Sequence, residues 1–130
     1  MNIKPYNEEF YEEIVRWWES HGWDAVPKEL LPPSGFIVYD GDMMLSAGWL
    51  FMDAHVPLGM MEFIVANPDA SPTQSYKAIS KLVKHISELA DSAGILAVYS
   101  SVKSSGLLKL YKKHNFMPQD CGMTSVVRGI

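Results

Sequence analysis

The sequence predicts an α/β (α+β) fold: a mixed, mainly antiparallel central sheet with helices on both faces. Three observations point there. Short runs rich in β-branched and aromatic residues alternate with segments whose apolar residues recur at helical spacing. Two of the strand-like runs flank a tight turn at residues 40–42, which makes them antiparallel neighbours. The run "LGMMEFIVA" is nearly continuous in apolar residues, as expected of a strand in the middle of a sheet covered on both faces.

Residues 2–6 form a strand-like opening. From Asn7, the residues Phe10, Ile14, Trp17 and Trp18 fall at helical spacing, and the pattern stops near Gly22. "VPKELLPP" has room for one short helical turn before the prolines end it. "GFIVYDGDMMLSAGWLFMD" reads as a hairpin, and "LGMMEFIVA" as a third strand. From Ser71, the residues Ile79, Leu82, Val83, Ile86 and Leu89 make a helical stripe that stops at Gly94. "ILAVYSSV" is another strand. Ser104 or Ser105 caps a helix carrying Leu107, Leu108, Leu110 and Tyr111, and residues 116–130 return as strand, turn, strand.

A chain of 130 residues, 48% hydrophobic and 20% charged, suffices for one domain over residues 1–130 with one sizeable core. The net charge of -4 gives no general attraction to nucleic acid or anionic membranes, so neither is an expected partner. Lys103, Lys109, Lys112 and Lys113 make one modest basic cluster. A lone Cys121 allows neither an internal disulfide nor a cysteine-based zinc site, and no paired metal-ligand spacing occurs, so no metal is expected. The opening lacks the apolar core of a signal peptide, and no stretch approaches bilayer-spanning length. A reducing cytoplasm fits best.

The order strand, helix, short helix, three strands, helix, strand, helix, two strands resembles the GCN5-related N-acetyltransferase fold over essentially the whole chain. "EFIVANP" entering the long helix resembles that family's fourth strand, and "LLKLYKKHNF" resembles its late "lYekxGF" helix and strand. "WWESHGW", "PKELLPPSGFIV" and "AGWL" look like stretches of small acetyltransferase-like proteins of tailed phages and their bacterial hosts. The resemblance implies a transferase that takes acetyl from acetyl-CoA and passes it to an amine. It places acetyl-CoA between the fourth and fifth strands, where Ile64, Val65 and Ala66 offer backbone bonds to the pantetheine arm.

In that family the loop after the fourth strand reads roughly R/Q-x-x-G-x-G/A and gives backbone amides to the pyrophosphate. With the family's proline on Pro68, Ser71 takes the Arg/Gln position, Gln74 the first glycine and Tyr76 the second, and no glycine occurs between Gly59 and Gly94. Taken by themselves, the residues make a capped helix start. Ser71 is an N-cap, Pro72 suits the first helical position, and Gln74 completes a capping-box pattern. Thr73, Ser75 and the ammonium of Lys77 are the replacement contacts such a loop still has for phosphate.

Acetyl transfer needs a group to take the amine's proton and often an acid for the leaving thiolate. Tyr111 falls on the tyrosine of the late-helix pattern, so the resemblance implies a general acid there, although Asn115 stands where the pattern has Gly. The plainer reading is a tyrosine packed on an amphipathic helix. Glu62, alone among apolar residues in "MMEFIVA", is costly to bury unpaired. It is either a general base at the acceptor site or a carboxylate facing solvent or a lysine. His55, in the loop "DAHVPLG", is a third candidate for proton transfer, against the reading of a surface histidine. Trp18, His21 and Trp23 gather at the end of the first helix and border an acceptor or partner surface, unless they are aromatic plugs at the edge of a core. His85 and His114 have no partner suggested by spacing, and Cys121 reads as an ordinary thiol.

Two functions stay open at this point. One is the acetyltransferase, with a small molecule or a protein amine as acceptor. The other is a catalytically inactive protein on the same scaffold, a phage-type modulator that engages a host protein through aromatic and methionine-rich surfaces. Exposed strand edges leave a homodimer open as well.

Overall fold

The structure is a computed structural model that describes residues 1–129. Asn2–Pro5 (β1), Gly35–Asp40 (β2), Met43–Met52 (β3), Leu58–Ala66 (β4) and Ala97–Tyr99 (β5) form one sheet in sequence order. Its first four strands are antiparallel neighbours, and β5 lies parallel to β4. A 3-10 turn at Glu8–Phe10 leads into Tyr11–Ser20 (α1), and Pro72–Ser92 (α2) and Ser105–Lys113 (α3) stand before and after β5. A parallel pair cannot be joined by a hairpin, and α2 supplies the crossover that β4 and β5 require.

The two sheet faces bury different helices. Ile14, Trp17 and Trp18 of α1 pack on Ile37, Ala47, Trp49 and Val65. Ala78, Leu82, Val83 and Ile86 of α2, with Leu110 and Tyr111 of α3, pack on Val38, Leu45, Met61 and Ile64. Neighbours such as Ile37 and Val38 thus serve opposite cores, the period-two alternation of a strand buried on both sides.

Helix ends follow local chemistry. Ser71 Oγ accepts from Gln74 N at 3.1 Å while Gln74 Oε1 accepts from Ser71 N at 2.9 Å, the reciprocal capping box expected from "SPTQ". Ser104, not Ser105, caps α3, accepting from Leu107 N at 3.0 Å. Past the end of α2, Gly94 adopts φ +77°, a left-handed position that suits glycine.

Two expectations need correction. Residues 116–129 hold no strand, and Ile130 lies outside the described residues. Met117, Met123, Val126 and Val127 are exposed there. β-propensity alone does not make a strand, because the backbone groups need a partner edge, and β5 presents only three residues instead of the eight of "ILAVYSSV". The second correction concerns β4, which is covered on both faces only in its later half. Leu58 and Met60 remain exposed where Gly59 and Met61 are buried, since α1 reaches the strand around Phe63 and Val65.

Candidate functional site

β4 and β5 form a fork. Their ladder joins Leu58, Gly59 and Met60 to Ala97, Val98 and Tyr99 and then stops. Two contacts extend the seam slightly: Ser100 Oγ donates to Met61 O at 2.6 Å, and Ser101 N donates to Glu62 Oε1 at 3.1 Å. Beyond them β4 carries an open edge. Asn67 N bonds Leu45 O of β3 at 2.9 Å, so alternation turns the amide and carbonyl of Ala66 away from β3 and toward the fork.

A bulge marks the crotch of the fork. Ala47 and Trp49 of β3 oppose Val65 and Glu62, so β4 holds one residue more than its partner. Phe63 absorbs it with φ 62°, a left-handed conformation that costs a side-chain-bearing residue roughly 1–2 kcal/mol. Trp18 Nε1 donates to Phe63 O at 3.4 Å, and Phe51 meets the Phe63 ring edge-on at 5.8 Å. The distortion is held from both sides and re-aims Glu62 toward the end of β5.

Glu62 and Tyr111 come from different elements to within electrostatic reach of each other. Glu62 is half-buried, and burial raises its carboxyl above the usual range, with the Ser101 amide opposing that shift. It bonds to the Ser101 amide and remains partly open to solvent, and no lysine forms an ion pair with it among the described residues. Tyr111 is 2% exposed, its ring tilted against Phe116 at 5.4 Å. Burial pushes its phenol up to about 12, the neighbouring Ser100 hydroxyl tempers the rise, and the Glu62 carboxylate adds to it. A half-buried carboxylate whose pKa burial raises thus stands within electrostatic reach of a phenol whose pKa burial also raises.

The loop from β4 to α2 mostly satisfies itself. Pro68 and Pro72 have no amide hydrogen, Asp69 N bonds Asn67 Oδ1, and Ala70 N bonds Asn67 O. Ser71 N and Gln74 N are closed in the capping box, and Ser75 N bonds Ser71 O. Among residues 68–75 the amide of Thr73 alone lacks a protein partner. The side chains of Thr73, Tyr76 and Lys77 are exposed, and Lys113 Nζ donates to Tyr76 Oη at 2.7 Å. Ser75 is half-buried.

The three aromatic candidates separate. Trp18 is a core residue at 2% exposure, tilted against Trp49 at 5.7 Å. His21 is exposed and stacks on half-buried Trp23 at 4.7 Å, with Lys103 Nζ over the Trp23 ring at 5.6 Å. His21 Nε2 lies 3.4 Å from Ala66 O, so this pair stands at the open edge of the fork. The basic cluster also divides, with Lys103 beside Trp23 and Lys113 beside Tyr76.

His55 is not brought to Glu62 and Tyr111. It is exposed in the turn before β4, its amide bonded to Asp53 Oδ1 at 2.7 Å, and Leu58 to Glu62 alone spans about 13 Å of strand. A shallow depression of about 250 Å³ lies at that end, lined by Phe51, Met52, Asp53, Leu58, Gly59 and Met60, and includes neither Glu62 nor Tyr111. Among the described residues no cluster of side chains suits a metal ion, and no helix is long and apolar enough to cross a membrane.

Asn67, Ser100, Ser101 and the His114–Ser80 contact at 3.0 Å escape the sequence reading. Only Asn67 had a local signal: an Asn before Pro is a turn former, and its side chain bonds Met44 O and Asp69 N. The others meet partners 34 or 39 residues away.

No family model matches the chain, and no curated protein matches it. Solved structures do. The protein TTHA1254 of Thermus thermophilus superposes with a TM-score of 0.72 at 16% identity, covering 100% of this chain and 99% of that one. A Staphylococcus aureus protein of unknown function described as a probable acetyltransferase gives 0.69 at 17%, covering 99% and 100%. N-acetylglutamate synthase from Neisseria gonorrhoeae, complexed with coenzyme A and N-acetyl-glutamate, gives 0.65 at 15% over 85% of this chain and 27% of its own. At such identities the likeness is one of fold.

Proposed function

We propose that this chain, which has the GCN5-related N-acetyltransferase fold, binds acetyl-CoA in the fork between β4 and β5 and transfers its acetyl group to an amine. The observation that carries the reading is the fork, with a backbone edge that pairs with no strand on one side and a carboxylate and a phenol at its crotch. The open edge at Ile64 and Ala66 suits the amides of an extended pantetheine arm. Thr73, Lys77 and the Lys113 ammonium are the groups left for the phosphates, because the loop amides around them are engaged.

Acetyl-CoA, when bound, supplies an acetyl thioester. Glu62 takes the proton from the incoming ammonium, leaving a neutral nitrogen lone pair, and its raised pKa brings it closer to an amine in basicity. Glu62 releases that first proton to solvent and takes the second one from the nitrogen as its bond to the acetyl carbon forms. Tyr111 Oη gives its proton to the sulfur as the carbon–sulfur bond breaks. Transfer of the Glu62 proton to tyrosinate then restores both side chains, with one proton released overall. Trp18 and Trp49 hold the Phe63 bulge and so the direction of Glu62. Only ionised Glu62 can accept a proton, so kcat/KM falls on the acid side as pH drops through its raised pKa.

One observation favours a second reading. The closed capping box leaves few amide donors for a diphosphate, as in a non-catalytic binding protein whose contact surface is His21 and Trp23. Thiol release from acetyl-CoA separates the two, assayed with a polyamine, a lysine peptide, a free N-terminal peptide and an aminoglycoside. Amine-dependent release with an acid limb above the usual carboxylate range is the expected result. The absence of both amine-dependent release and slow thioester hydrolysis by pure protein overturns the proposal.

A further inference from the structure

The fold brings one of the chain's own amines, that of Lys103, to the fork. Ser101 N donates to Glu62 Oε1 at 3.1 Å, and the two residues from Ser101 to Lys103 span at most about 7 Å. Lys103 Nζ lies over the Trp23 ring, 5.6 Å from its centroid. That ring stacks on His21, whose Nε2 stands 3.4 Å from Ala66 O on the open edge of β4. The backbone and the side chain of Lys103 are thus tied to the two ends of one stretch, residues 62–66. The sheet face is shared as well. Glu62 pairs with Trp49, which lies in the core that α1 covers, whereas Met61 before it belongs to the other core. Trp23 packs against that same α1-side core, so the Lys103 ammonium and the Glu62 carboxylate stand on one face. Lys109, Lys112 and Lys113 belong to α3, which packs on the opposite face. Lys103 is exposed and forms no ion pair among the described residues. An exposed cation–π contact is weak, so the indole collects the ammonium without trapping it, and a flexible four-carbon stem leaves it free to move into the fork.

We propose that Lys103 is a self-acetylation site, its Nζ taking an acetyl group from acetyl-CoA held in the fork of the same chain. The inference rests on the reading of the fork as the acetyl-CoA site. The Lys103 ammonium first gives a proton to Glu62, which releases it to solvent. The neutral nitrogen then bonds to the acetyl carbon and gives Glu62 its second proton, while the carbon–sulfur bond breaks and Tyr111 protonates the sulfur. Return of the Glu62 proton to tyrosinate leaves N-acetyl-lysine, the free thiol of CoA and one released proton. Because the amine and the fork belong to one molecule, the step is unimolecular and gains from proximity. The product amide is neutral and no longer drawn to the Trp23 face, and the reaction runs once per chain.

The test incubates the protein with acetyl-CoA at several protein concentrations and follows intact mass and peptide maps. The control is Lys84, exposed on α2 and beside Ile3 of β1 at the other edge of the sheet. The expected result is one acetyl group per chain, on Lys103, formed at least about tenfold faster than on Lys84 and with a rate constant independent of protein concentration. Lys103→Arg removes the increment. Trp23→Leu slows it about fivefold or more, and Trp23→Phe, which keeps an aromatic face, slows it less. A second readout needs no transfer: trace labelling of lysines with acetic anhydride, with and without CoA lacking the acetyl group. CoA is expected to lower the labelling of Lys103 about threefold or more and to leave Lys84 unchanged. Transfer to an added amine with Lys103 unmodified, or acetylation spread evenly over Lys103 and Lys84, overturns the Lys103 site and leaves acetyl transfer standing. A rate constant that rises with protein concentration overturns transfer within one chain. Acetylation of Lys103 with every added amine refused supports the site and overturns the reading of a separate amine acceptor.

Discussion

Tyr111→Phe is expected to lower kcat for acetyl transfer by about a hundredfold or more while leaving the KM for acetyl-CoA and the melting temperature nearly unchanged. The substitution removes one oxygen. The ring keeps its contacts with Phe116 and with the core that α2 and α3 share, so the fold loses little. What disappears is the proton at the crotch of the fork. Without it the sulfur departs as a free thiolate in a site where burial already penalises negative charge. Steady-state kinetics with separate kcat and KM decide the matter: an unchanged kcat would remove Tyr111 from the chemistry.

Trp49→Ala is expected to destabilise the protein by about 3–5 kcal/mol, the range for emptying a large aromatic site in a core. Trp49 is fully buried, edge-on to Tyr6 at 5.2 Å and tilted against Trp18 at 5.7 Å. It pairs with Gly35 on one side and Glu62 on the other. A Cβ on Gly35 would overlap the indole nitrogen, so that glycine is the space the indole occupies. The indole N–H has no partner among the described residues, so the loss is one of packing. Urea unfolding measures it, and a loss below about 1 kcal/mol would mean that the neighbours collapse into the gap. Activity should fall with stability in this variant, because the residue that braces the bulge is also a core residue.

What the sequence disclosed is what short-range chemistry decides. The capping box of Ser71 and Gln74, the hairpin at residues 40–42 and the helical stripe from Ile79 to Leu89 depend on spacings of two to four residues, and each is present. Glu62 was conspicuous as the one charge in an apolar run. Its surroundings were not legible, because Ser100 and Ser101 reach it and Met61 across 39 residues. Trp18 and Trp23 looked alike in the sequence, yet helix phase buries the first against the bulge and leaves the second half-buried beside His21. Residues 116–130 had the composition of a closing hairpin, but composition does not reveal whether a strand edge stands ready to receive it.

The most direct test of the central claim, that the fork holds acetyl-CoA, is calorimetric titration of acetyl-CoA into the unaltered protein and into Ala66→Pro. Proline removes the Ala66 amide hydrogen, which faces the fork, and spares the β3–β4 ladder, so a folded variant is expected. The expected result is saturable binding with a dissociation constant on the order of micromolar in the unaltered protein, about tenfold weaker in Ala66→Pro at an unchanged melting temperature. No heat at millimolar acetyl-CoA, or equal binding by the two proteins, would contradict a cofactor lying on that edge.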